Sequence, residues 1–78
     1  MATLRLFASI REAAGERSVT IEGSTVGEVI NAAEAKFGEH FVALVPTCRV
    51  WVNGEPAEST TVVADNDEVA LLPPVSGG

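Results

Sequence analysis

The sequence predicts an α+β domain of two layers, a sheet of four to five strands with one main helix packed on one of its faces. Two observations carry this. Several short segments alternate apolar and polar residues with period two, as half-buried strands do. One segment in the middle switches to helical spacing, and a single apolar stripe of that kind can cover one face of a sheet. The 78 residues contain no internal repeat, linker or low-complexity run, so they read as one domain with a small core.

The first strand is expected over Ala2 to Ile10, with Leu4, Leu6 and Ala8 on one side and Thr3, Arg5 and Phe7 on the other. Residues Arg11 to Glu16 form a short helical turn ending at Gly15, and Arg17 to Glu22 return antiparallel with Val19 and Ile21 inward. From Ser24 to Gly38 the apolar residues Val26, Val29, Ile30, Ala33 and Phe37 fall on one helical face. Thr25 and Glu28 have capping-box spacing at its start. Gly38 suits the left-handed residue after its last turn.

The stretch Glu39 to Pro46 is open between loop and a further short turn. Thr47 to Val52 alternates again, with Cys48, Val50 and Val52 on one face and Arg49 and Trp51 on the other. Asn53-Gly54 signals a tight hairpin, since both residues accept positive φ, and a short strand follows over Glu55 to Ala57. Ser59 to Ala64 is irregular, Asp65-Asn66-Asp67 marks a turn, and Glu68 to Leu72 is the last strand. Residues 1–72 are then the folded domain and 73–78 a flexible tail. The order of strands within the sheet does not follow from these patterns.

Composition excludes several function classes. Eleven acids stand against five bases, a formal charge of −6, which opposes binding to a nucleic-acid backbone. No run approaches the length of a membrane span. The opening MATLRLFASIREAAGE is interrupted by Arg5, Arg11 and Glu12 and is no signal peptide. The single Cys48 forms no internal disulfide, which fits a reducing, cytoplasmic setting.

An internal catalytic constellation is not expected either. His40, the one histidine, has no Cys or carboxylate at metal-ligand spacing. Cys48 alternates with Val50 and Val52, as a buried inert thiol does. The glycines compose no phosphate loop. Asp65, Asp67 and Glu68 suit a solvated turn better than a cation site. By contrast, Phe7 and Trp51 with Arg5 and Arg49 on an uncovered sheet face have the composition of an interface hot spot.

The remaining signal is the end of the sequence, LLPPVSGG. Pro73 and Pro74 favour an extended exit from the last strand. Six residues from Pro73 to Gly78 reach about 20 Å fully extended. Gly77 and Gly78 carry no side chain and can thread a narrow channel, delivering a carboxylate into another protein's active site. Adenylation by ATP would make that carboxylate an electrophile. A sulfur nucleophile would then give a thiocarboxylate, an amine an amide.

Taken together, LFASIREAAGE near the start, DNDEVALLPPVSGG at the end and the β-β-α-β-β order resemble the ubiquitin-like β-grasp sulfur carriers over essentially the full length. Within them the end motif is most similar to the small subunit of molybdopterin synthase. Asn66 stands where that family usually has Gly, and Asn also tolerates positive φ. The resemblance implies first and last strands lying parallel at the centre of a mixed sheet. It implies that Gly78 is activated by a ubiquitin-activating-like adenylyltransferase, which supplies the ATP chemistry, while the chain itself binds no cofactor. It further implies docking onto the large synthase subunit, in a heterotetramer, and transfer of sulfur to a cyclic pterin precursor of the molybdenum cofactor.

The tail positions Pro73, Pro74, Val75, Ser76, Gly77 and Gly78 carry over from that resemblance, and Leu72 just before them is expected to bind the partner as well. Phe7 matches a partner-facing position, and Arg11 is expected to face the activating enzyme. Trp51 joins them on the hot-spot argument alone. Two alternatives stay open: a sulfur carrier for thiazole, cysteine or tRNA thiolation, and a ubiquitin-like modifier of proteins. The sole lysine, Lys36, limits branched chains to that residue and the N-terminus.

Overall fold

The computed structural model describes residues 1–74. In chain order these form β1 (Ala2–Leu6), α1 (Ala8–Ala14), β2 (Ser18–Ile21), α2 (Val26–Phe37), α3 (Glu39–Leu44), a 3-10 turn (Val45–Thr47), β3 (Arg49–Val52), β4 (Glu55–Pro56) and β5 (Glu68–Leu72). The five strands make one mixed sheet in the order β2-β1-β5-β3-β4. β1 and β5 are parallel at its centre, as the resemblance implied, and every other pairing is antiparallel.

The alternation of each central strand decides which face is covered. Ala2, Leu4 and Leu6 of β1 and Val69 and Leu71 of β5 turn inward and are buried. Ile10 of α1, Val26, Val29 and Ala33 of α2 and Phe41 of α3 close over them in one core. All three helices therefore serve one layer, and the opposite face of the sheet carries no element among the described residues.

Helix α2 starts where its capping chemistry places it. The Thr25 hydroxyl accepts a hydrogen bond from Glu28 N–H at 3.2 Å, and the Glu28 carboxylate accepts from Ser24 N–H at 3.0 Å. The other first-turn donors are met by the irregular segment, since Val26 and Gly27 donate to the carbonyls of Thr61 and Ser59. That segment is thus a backbone cap on α2 that also buries Val63.

Two local expectations are corrected, and one stretch left open takes a definite form. β1 stops at Leu6 rather than Ile10, because Phe7 serves as N-cap of α1 and Ala8 turns to φ 52°. Ile10 then reaches the core from a helix, and Ala8 is exposed. Gly38 has positive φ, 89°, but with ψ −167° it lies outside the left-handed helical region. This conformation, essentially reserved to glycine, lets α3 follow α2 without a spacer. The open stretch after it is a helix in its own right, anchored by the fully buried Phe41, whose ring lies 5.1 Å from that of Phe37. The hairpin forms as expected, with Asn53 at φ 49° and Gly54 at φ 84°, and Asn66 adopts φ 75° in the acidic turn.

Candidate functional site

The uncovered face is built by the polar-parity residues of β1, β5, β3 and β4. Because β5 places Glu68, Ala70 and Leu72 opposite in parity to the buried Val69 and Leu71, these three form the floor beside Trp51 and Arg49 of β3. Trp51 lies between Ala70 on one side and Pro56 on the other, and Arg49 is in register with Leu72. Small neighbours on both sides leave the indole half-exposed rather than packed away.

These residues line a groove of about 670 Å³. Phe7, more than one-third exposed, closes one side, Gly54 of the hairpin lies on the lining as well, and Pro73 and Pro74 continue it from the end of β5. The structure therefore brings together Phe7, Trp51, Leu72, Pro73 and Pro74. Val75, Ser76, Gly77 and Gly78 lie outside the described residues. Ala70 was not singled out from the sequence, and Glu68 only as part of an acidic turn, although their parity with Leu72 carried the signal.

Polar contacts brace the groove. Arg5 reaches Glu68 at 3.4 Å, and its guanidinium lies 5.9 Å from the Phe7 ring centroid. Both ion-pair partners are about half-exposed, so the pair adds little stability but orients the Phe7 edge. At the hairpin, Asn53 Oδ1 accepts from Glu68 N–H at 2.9 Å and Asn53 Nδ2 donates to Asp67 at 3.0 Å. Asp67 also accepts from Ala64 N–H at 2.8 Å. Those bonds favour its ionised form, the Ala64 amide first and the Asn53 amide second, and hold its carboxyl below the ordinary 3.8. The Met1 ammonium is bonded to Asp65.

Other candidates fall away from the groove. Arg11 is exposed on α1 and does not line it. A helix begins at Ala8, so residues beyond it leave the plane of the sheet. His40 is exposed, and no group of three metal-ligating side chains occurs among the described residues. Cys48 is half-buried rather than buried. Burial pushes its thiol up, partly opposed by its bond with Thr47, and Sγ donates to the Leu44 carbonyl at 3.4 Å. A thiol so held is neutral and a poor nucleophile. No described helix is long and apolar enough to cross a membrane.

An exposed, largely apolar groove of this kind has the composition of a protein-docking surface. Comparison with known proteins identifies the family. The chain is 36% identical over 84 residues to small archaeal modifier protein 1 of Haloferax volcanii, covering 95% of this chain and 97% of the relative. It is similar in structure to one chain of the Amycolatopsis orientalis BexX/CysO complex (TM-score 0.85, 29% identity, 100% of this chain and 100% of that one). It is similar also to a putative molybdopterin converting factor subunit 1 from Pyrococcus furiosus (TM-score 0.83, 26% identity, 95% of this chain and 97% of that one). The ThiS family model matches residues 4–78. With its five-stranded mixed sheet, the ubiquitin-like β-grasp, this chain belongs to the ThiS family of small sulfur carriers.

Proposed function

We propose that the chain carries sulfur on Gly78 and acts as the small subunit of a molybdopterin synthase. The observation that carries this is the continuity of the apolar groove with Pro73 and Pro74. A partner seated on Phe7, Trp51 and Leu72 is thereby placed beside the origin of the PVSGG tail. In the first step the Gly78 carboxylate attacks the α-phosphorus of ATP, forming an acyl-adenylate and releasing pyrophosphate. In the second, sulfide released by a sulfur donor attacks the acyl carbon, AMP departs, and loss of the proton leaves a thiocarboxylate. In the third, the tail enters the large subunit, the thiocarboxylate sulfur bonds to a carbon of the cyclic pterin precursor as an oxygen leaving group departs from that carbon, and water cleaves the resulting thioester, leaving sulfur on the pterin and returning the carboxylate. Two such transfers, from two charged chains, supply both dithiolene sulfurs.

This chain's own part is docking and delivery, and the nucleotide chemistry belongs to the adenylyltransferase. The similarity to a molybdopterin converting factor subunit supports the pterin acceptor. The similarity to small archaeal modifier protein 1 favours a second reading, amide formation on other proteins after the same adenylation. Reconstitution separates them. The chain is incubated with its adenylyltransferase, ATP and a sulfur donor, then with the large subunit and pterin precursor. Dithiolene formation that disappears on deletion of Gly78 is the expected result. Adenylation followed only by lysine conjugates would favour the modifier, and no adenylation would exclude both.

A further inference from the structure

We propose that Arg49 is a partner-selecting residue, and that the adenylating enzyme which activates this chain presents a carboxylate against it. This rests on the carrier reading, since adenylation is the one partner step common to sulfur transfer and conjugation.

The chain is strongly acidic, at −6, yet its uncovered sheet face gathers two of its five bases, Arg5 and Arg49, against one acid, Glu68. Arg5 is engaged with Glu68. Arg49 makes no ion pair among the described residues and is exposed. Glu55 does not answer it, because Glu55 is in register with Val52 and so has the opposite parity to Pro56 and Trp51. The groove thus keeps one uncompensated guanidinium in a molecule whose overall field repels acidic surfaces.

Position adds a second line. Arg49 is in register with Leu72, the residue just before Pro73-Pro74, so it marks the end of the face from which the tail departs. Arg49 and Trp51 also line a second hollow, of about 490 Å³, on the other side of β3 beside Pro56 and Ala57. Arg49 and Trp51 thus border both hollows. A partner that fills both hollows with apolar groups meets a planar guanidinium at their shared border. Arginine there favours a carboxylate, with two parallel N–H donors fixing the orientation. Pairing at a rim acts through encounter and register more than through buried area.

The test measures ATP–pyrophosphate exchange by the adenylyltransferase as the concentration of this chain is varied. Arg49→Glu is expected to raise KM about tenfold or more while kcat stays within twofold, with Arg49→Gln intermediate and Arg49→Lys, which keeps the charge without the paired donors, falling between Arg49→Gln and wild type. Wild-type KM is expected to rise with salt, and Arg49→Gln to flatten that dependence. Arg17→Glu makes the same change in net charge on an exposed residue outside both hollows and controls for overall repulsion. Circular dichroism on each variant checks the fold. Equal KM values for Arg49→Glu and Arg17→Glu would overturn the proposal while leaving the carrier reading standing. Absence of exchange with the wild-type chain would overturn the carrier reading and this inference with it.

Discussion

At the scale of single residues, Trp51 and Asp67 show how neighbours decide the role of a side chain. Trp51 keeps its ring available because Ala70 and Pro56 flank it in register. Trp51→Ala should therefore weaken binding to the adenylyltransferase by at least about 1 kcal/mol, measured calorimetrically, with little change in melting temperature. Unchanged affinity would remove Trp51 from the interface. Asp67 is held below its ordinary 3.8 by the amides of Ala64 and Asn53, so its charged form favours the folded state. That contribution is fully present above 3.8 and is lost as pH falls through the lower folded value. The group is exposed, so the effect is small. The melting-temperature difference between wild type and Asp67→Ala should be largest near neutral pH and shrink on acidification. A difference that is constant with pH would refute it.

At the scale of elements, legibility followed the range of the interactions involved. Helix α2 was legible because twelve residues display several turns of one stripe and because Thr25 and Glu28 are three apart. Helix α3 was not, because six residues hold too few apolar positions to set a period, and only burial of Phe41 settles it. The end of β1 misled for a related reason. Ile10 keeps the parity of Leu4 and Leu6, so alternation alone cannot register that the backbone turns at Ala8. Thr25→Ala should cost about 1 kcal/mol in urea unfolding through the lost Glu28 bond. Phe41→Ala should cost roughly 3–5 kcal/mol and leave little of the fold, given the modest stability of a domain this small. A loss under about 1 kcal/mol would mean that α3 is not an anchored element.

At the scale of the whole molecule, the strand order required contacts remote in sequence, and the parallel pairing of β1 with β5 entered only through family resemblance. The groove was half legible. Phe7 and Trp51 followed from parity once an open face was assumed, whereas the floor of Glu68 and Ala70 and the placing of Arg11 away from it depended on the fold. The division that emerges is a core closed by Leu71 and an open groove that continues to Pro74. Deleting Gly78 should thus abolish carrier activity and leave thermal stability unchanged, and a matching loss of stability would contradict that separation.

Whether this chain carries sulfur at Gly78 is read most directly from the intact mass of protein taken from its native cell. A species heavier by the exchange of one oxygen for sulfur, localised by fragmentation to Gly78, is expected. Only unmodified chain, together with heavier conjugates through lysine amides, would contradict it and put protein modification in its place.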